Sequence, residues 1–208
     1  RDLGKLKEAE LSLLHAIRIK PGFIEAHVNL GIILNLGGKH KQAFDSYLEA
    51  IELNPERPET YFVINQFLRY SNPSELDKQK LKYILDLLLD RDDIQHKHLF
   101  RTFNYIYKNE FISNNEDSNL DSLKCGLFPL MFSDKIIVRA LRKMVFSDPE
   151  WEKFLTQIRR NICNLIANKK SDLNENTLSF VIALAEQCFL NEYIYSLSNE
   201  ENKSLKII

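Results

Sequence analysis

A set of residues returns after a shift of 34 positions, and this repeat constrains the fold more than any other feature of the chain. The matched pairs are Gly4/Gly38, Ala9/Ala43, Ala16/Ala50, Ile17/Ile51 and Pro21/Pro55. A fixed period in this range indicates stacked supersecondary units, none of which buries its apolar face alone. The residue types fit a helix–turn–helix unit, because alanine lets two helices approach closely, glycine permits the turn, and proline cannot continue the second helix. The sequence therefore predicts a binding scaffold.

Apolar residues in the first part of the chain recur at spacings of three and four, which predicts amphipathic helices. We predict helices over residues 5–20, 23–36 and 40–53, and a fourth that runs from Pro58 to about Tyr70. Pro21-Gly22 and Gly37-Gly38 separate the first three helices.

The period disappears beyond about Asp92, although the pattern there still predicts helices. The polar, acidic stretch 112–122 is rich in turn formers and predicts an exposed loop. We therefore predict an all-α chain with helical repeats over 1–91 and a non-repeat helical bundle extension over 92–208. The helices predicted in the extension cover 96–110, 119–131, 133–146, 149–168 and 175–197.

The segment "HVNLGIILNLGGKHKQAFDSYLEAIELNP" resembles the tetratricopeptide repeat, with Leu30, Gly31, Ala43, Tyr47, Ala50 and Pro55 in the positions of its pattern. The resemblance implies an α-solenoid made of a half repeat, one full repeat and a degenerate third unit over 57–90. In the third unit Asn65 replaces the small glycine and Asp77 stands where alanine is expected. The resemblance also implies that the partner is a protein or a peptide.

Two blocks, "FSDPEWEKFLTQIRRNI" and "ALAEQCFLNEYIYSLSNEE", resemble the helical region between tetratricopeptide repeats and an S-adenosylmethionine-dependent methyltransferase domain in some bacterial proteins. This second resemblance covers about residues 125–201 and implies a catalytic domain C-terminal to this chain. A nucleotide-type methyltransferase fold needs a glycine-rich turn after its first strand, so that the backbone can approach the cofactor closely, and the chain has no glycine after Gly126. We expect this chain to be non-catalytic and without a cofactor, and whether the whole protein is an enzyme stays open.

Composition excludes some classes of partner. With 28 basic and 29 acidic residues the net charge is −1, so no bulk electrostatic attraction favours nucleic acid or an anionic membrane. No apolar stretch approaches the ~20 residues that span a bilayer. The three cysteines are widely spaced, which predicts buried free thiols and a cytoplasmic protein. Because the chain begins at Arg1 in the middle of a repeat, we expect it to be part of a longer protein.

Three further features have structural interpretations that we prefer. His96 and His98 stand two positions apart, and on a helix such side chains diverge, so no metal site is predicted. The basic and aromatic stretch "HKHLFRTFNYIYK" places Leu99, Phe100, Phe103 and Tyr107 at helical spacing, which predicts a core face rather than a nucleic-acid surface. Glu192 lies in an apolar helical pattern, and we expect an ion pair with Arg159 or Arg160 there.

In a stacked repeat array the first helix of each unit lines the concave groove. The register set by Leu30 and Gly31 leaves some positions of these helices free for a ligand. The predicted groove residues are Glu25, Asn29, Ile32 and Asn35 in the full repeat and Glu59, Phe62, Gln66 and Tyr70 in the next unit, with Val28, Leu36 and Val63 beside them. This mixture of amide, apolar and aromatic groups favours an extended, partly apolar segment.

Asn29 occupies a slot that carries a ladder of asparagines in arrays resembling that of O-linked N-acetylglucosamine transferase, where the amides hold a peptide backbone. A carboxamide donates and accepts hydrogen bonds, so it recognises main chain without demanding a side chain. The next slot holds Val63, which interrupts the ladder. Asn29 as a solvated polar residue remains an alternative.

The first half repeat leaves Leu6, Leu13 and Ile17 without a covering first helix. An uncovered apolar end of this kind predicts self-association.

Overall fold

The structure is a computed structural model of the chain, and it describes residues 2–112, 128–167 and 174–190. These residues form helices and turns, with no strand among them, so the prediction of an all-α fold is confirmed for the described part. The chain divides into two compact units, Arg1–Thr102 and Phe103–Ile208. The domain boundary at 91/92 stays a prediction.

The first unit contains five α-helices and two short 3₁₀ turns in its described residues. The predicted bounds of the third and fourth helices are confirmed, whereas the first helix begins earlier than predicted and the second begins one residue later. The helices are α1 (Asp2–Ile19), α2 (Ile24–Leu36), α3 (His40–Leu53), α4 (Pro58–Tyr70) and α5 (Lys78–Asp90), and the 3₁₀ turns are Pro73–Glu75 and His96–Leu99.

Gly38 allows the turn between α2 and α3, as the repeat pattern predicts. Its φ of +74° lies in the left-handed region, which glycine adopts without steric cost. The amide of Gly37 donates to the Ile33 carbonyl at 3.0 Å, and the amide of Lys39 donates to the Leu34 carbonyl at 2.9 Å. These bonds satisfy the last carbonyls of α2, so α3 turns back immediately and packs along α2.

Gly31 permits the close packing of α2 on α3. A Cβ atom at this position would lie 2.4 Å from Cε1 of Tyr47. The Tyr47 ring is only 2% exposed, and its centroid lies 5.4 Å from that of Phe67 on α4. Tyr47 therefore packs against both neighbouring first helices, and the missing side chain of Gly31 makes room for its ring.

Burial raises the pKa of the Tyr47 phenol to about 12. Because the folded-state pKa exceeds the unfolded value of about 10, this contribution to stability is complete below pH 10 and is lost as the pH rises towards 12. We expect the free energy of unfolding to fall by about 3 kcal/mol more in the wild type than in Tyr47→Phe over that range. Urea denaturation of both proteins at several pH values measures this difference, and parallel curves would contradict it.

The third unit departs from the repeat, as the sequence predicts. Asn65 is buried in the position of the repeat glycine, and its Nδ2 donates to the Gln95 carbonyl at 3.4 Å. Helix α4 accordingly packs against the 3₁₀ turn at 96–99. Asp77, in the register of Ala43, caps α5 by accepting a hydrogen bond from the Lys80 amide at 2.8 Å. Asp77 therefore serves as a helix cap, whereas Ala43 at the same repeat position serves close contact between helices.

Five helices cover the remaining described residues. The segment predicted to be helical over 96–110 is helical, with a 3₁₀ turn at His96–Leu99 that leads into an α-helix from Phe100. The helix predicted over 133–146 is shorter and covers Lys135–Lys143; it starts after Asp134, which caps it by accepting from the Ile136 amide at 2.9 Å. The predicted loop at 112–122, the start of the helix predicted over 119–131, and Glu192 lie outside the described residues, apart from Ile112. The helices are α6 (Phe100–Phe111), α7 (Phe128–Ser133), α8 (Lys135–Lys143), α9 (Pro149–Ala167) and α10 (Glu175–Leu190).

An aromatic cluster around Trp151 forms the core of the second unit. The Trp151 ring is fully buried, with ring centroids of Phe103, Phe146 and Phe154 at 5.3, 5.5 and 6.0 Å. Its Nε1 donates to Oδ1 of Asn104 at 2.7 Å, so the polar atom of the indole is satisfied inside the core. The predicted burial of Leu99, Phe103 and Tyr107 is confirmed, whereas Phe100 is half-buried.

Candidate functional site

The eight predicted groove residues lie on α2 and α4, the first helices of consecutive units. Six of them are exposed and two are half-buried. The exposed residues are Glu25, Asn29, Ile32, Glu59, Phe62 and Tyr70, and the half-buried residues are Asn35 and Gln66. These positions are accessible, and ligand binding at them stays a prediction.

Large apolar side chains are exposed along both helices. Leu36 is 65% exposed on α2, and Phe62 and Tyr70 are 57% and 72% exposed on α4. Ile32 is also exposed. Grouped apolar exposure of this kind on a globular protein marks an interaction surface more often than isolated exposed residues do.

An arginine connects the two glutamates at the start of these helices. Nη1 of Arg57 lies 2.6 Å from Oε1 of Glu25, and its Nε lies 3.4 Å from Oε2 of Glu59. The hydrogen bond from Arg57 lowers the pKa of the Glu25 carboxyl. We call this end, where two carboxylates share the Arg57 guanidinium, the acidic end; the Lys20 ammonium is also close enough to help lower the pKa of Glu25.

The other end of the two helices carries different chemistry. The Arg69 guanidinium lies 5.0 Å from the centroid of the Tyr70 ring, a cation–π distance. Nδ1 of His40 lies 3.0 Å from Oδ1 of Asn35, so the oxygen of this predicted groove residue is engaged within its own repeat. The amides of Asn29 and Gln66 occupy the middle of the two helices.

The sequence reasoning missed Arg57, Arg69 and His40. The repeat register gives no signal for the two arginines, because it pairs Arg57 with Phe23 and Arg69 with Asn35. The one signal in the sequence is position: Arg57 directly precedes Pro58, so it lies at the start of α4.

The two histidines of the 3₁₀ turn at 96–99 approach different oxygen atoms. Nε2 of His96 lies 2.8 Å from the Arg91 carbonyl, whereas Nε2 of His98 lies 2.9 Å from Oε1 of Gln95. Among the described residues, no cluster of three or more metal-ligating side chains occurs. Cys163 and Cys188 form no disulfide, as predicted, but they are half-buried rather than buried; Cys125 lies outside the described residues.

The apolar face of α1, which the sequence predicts to be an uncovered end of the repeat stack, is partly covered. Leu6, Leu13 and Ile17 are half-buried, because α2 packs against α1. Leu11, Leu14 and Ile19 are exposed on the same helix. Self-association through α1 stays a prediction. Within the described part of the chain, no helix is both long and apolar enough to cross a membrane.

Comparison with known families identifies one segment of the chain. Residues 24–57, which include α2 and α3, match the family model of the tetratricopeptide repeat. No curated protein and no solved structure matches the chain. The match supports a protein-interaction module in general, and the likeness of residues 125–201 to a methyltransferase-linked region stays a prediction.

Proposed function

We propose that this chain is a tetratricopeptide-repeat interaction module that holds an extended segment of a partner protein along α2 and α4. The observation that carries the proposal is the row of exposed apolar side chains at the predicted positions, above all Leu36, Phe62 and Tyr70. A row of this kind on the first helices of consecutive units supplies apolar contact area to a guest chain.

The amides complement the apolar contacts. Asn29 is exposed and Gln66 is half-buried, and each carboxamide both donates and accepts. They therefore suit the alternating N–H and C=O groups of an extended backbone. Helices α2 and α4 together offer only a modest contact area to a partner. We therefore expect weak, micromolar binding, in which a few anchor side chains contribute most of the binding energy. The partner binds as a ligand and is not chemically changed by the proposed site.

The groove assignment predicts a specific mutational pattern. Peptides are selected from a displayed random library on the wild-type chain, and their affinities are then measured for single variants. We expect Phe62→Ala and Tyr70→Ala each to weaken binding about ten-fold, because each removes an aromatic anchor. Asn29→Ala should weaken it about three- to ten-fold through the loss of a backbone hydrogen bond.

Tyr83→Ala is the matched control, since it removes an exposed tyrosine from α5, outside the predicted groove. It should leave the affinity unchanged. Selected peptides that bind all three groove variants as tightly as the wild type would overturn the proposal.

A further inference from the structure

Four of the apolar groups along the candidate groove form two pairs, which we call the apolar rungs; Val28 among them is half-buried. The shift of 34 residues pairs Val28 with Phe62 and Leu36 with Tyr70. Within each helix the two rungs are eight residues apart, which corresponds to about 12 Å along the helix axis. A partner that contacts both rungs must place two apolar side chains at this separation.

An extended segment satisfies that separation with anchors four residues apart. It rises about 3.3 Å per residue and its side chains alternate, so residues i and i+4 lie about 13 Å apart on the same side. The amides of Asn29 and Gln66 stand between the rungs, where they can bond to the main chain of such a segment. A helical partner would need about eight residues for the same span, and its backbone groups would already be paired.

The acidic end favours a cation beyond the rung of Val28 and Phe62. Glu25 and Glu59 stand three residues before these two side chains, about 4.5 Å further along the axis. Arg57 bonds Glu25 at 2.6 Å and approaches Glu59 only to 3.4 Å, and the Glu59 side chain is 74% exposed. Glu59 therefore has room for a second cation at its carboxylate. Arg69 lies at the opposite end, over the Tyr70 ring, and repels a cation there. The two ends of the groove therefore differ in charge.

We propose that the groove selects an extended segment with two bulky apolar residues at i and i+4 and a lysine or arginine at i−2, which lies at Glu59. This inference rests on the proposed function and names the chemistry of the partner. Since nothing in the groove fixes the direction of the guest backbone, the pattern applies in either chain direction.

Two fluorescent probes test it, Lys-Ser-Phe-Ser-Thr-Ser-Leu and the same peptide in reverse order. We expect at least one to bind, with an affinity reduced about three-fold by Glu59→Gln, as for an exposed ion pair. The matched peptide with serine in place of lysine should bind wild type and Glu59→Gln equally. Raising the salt concentration should remove the effect of Glu59→Gln, because an exposed pair is screened. Inserting one residue between the anchors should weaken binding, because it turns one anchor to the opposite side.

The outcomes separate this inference from the proposed function. If probes bind in a manner that needs Phe62 but ignores Glu59→Gln or the anchor spacing, the pattern is wrong and the groove assignment stands. If neither probe binds at about 1 mM while library peptides that need Phe62 lack the pattern, the inference also fails. If no peptide of either kind depends on Phe62, the proposed function fails as well.

Discussion

Replacing Trp151 by alanine should lower the free energy of unfolding of the chain by about 3–5 kcal/mol. The side chain is fully buried, and its ring lies among those of Phe103, Phe146 and Phe154. Alanine would leave a cavity that these three rings fill only in part. It would also remove the indole N–H that donates to Oδ1 of the half-buried Asn104, which adds the cost of a lost hydrogen bond.

Urea denaturation followed by far-UV circular dichroism measures the effect. Trp151 is the only tryptophan of the chain, so its emission reports the second unit in the wild type and in every variant that keeps it. Trp151→Phe retains an aromatic ring and loses the indole donor, so its loss should be smaller. Leu130→Ala, at an exposed position, should change the stability by less than about 0.5 kcal/mol. A loss below about 1 kcal/mol for Trp151→Ala would contradict the assignment of this core.

The repeat part of the fold was predictable because its determinants are local and periodic. Ala43 and Ala50 recur at the contact between helices, and both are fully buried. Gly38 marks the turn through a conformation that few other residues adopt. Such positions can be recognised from residue type and spacing alone, and the bounds of α3 follow directly.

The register fails where another interaction outweighs it. Asp77 stands in the alanine slot, but the side chain of aspartate accepts a backbone hydrogen bond at a helix start, and α5 therefore begins after it. Asn65 in the glycine slot reaches the Gln95 carbonyl. That contact joins residues thirty positions apart outside the period, so no spacing rule could predict it.

The candidate groove also has features that the sequence predicts and features that it does not. Which residues of α2 and α4 are exposed follows from the faces that Leu30 and Ile64 bury. The ion pairs of Arg57 with Glu25 and Glu59 do not follow, because they depend on how a long, flexible side chain settles between two repeats. The charge polarity of the groove is therefore a property of the folded chain.

Replacing Gly31 by leucine should destabilise the chain by about 3 kcal/mol or more, the upper range for overpacking a core. Even the first added atom would lie 2.4 Å from Cε1 and 2.7 Å from Cδ1 of Tyr47. The ring cannot swing away cheaply, since it is buried and packs against Phe67. Gly31→Ala should have a smaller net effect, because alanine favours the helix by about 1 kcal/mol over glycine and so offsets part of the clash. Urea denaturation by circular dichroism measures both losses.

A double-mutant cycle assigns the loss to the ring. Leucine occupies the slot of Tyr47 in the preceding repeat, at Leu13, so Tyr47→Leu is a substitution that the repeat already contains. In that background Gly31→Ala should cost less than in the wild type, with a coupling free energy above about 0.5 kcal/mol. Gly4→Ala is the matched control, because Gly4 is also helical and has no atom within 4 Å of its added Cβ. It should leave the stability unchanged or raise it slightly. Equal losses for Gly31→Ala with and without the Tyr47 ring would show that close approach to Tyr47 does not explain the glycine.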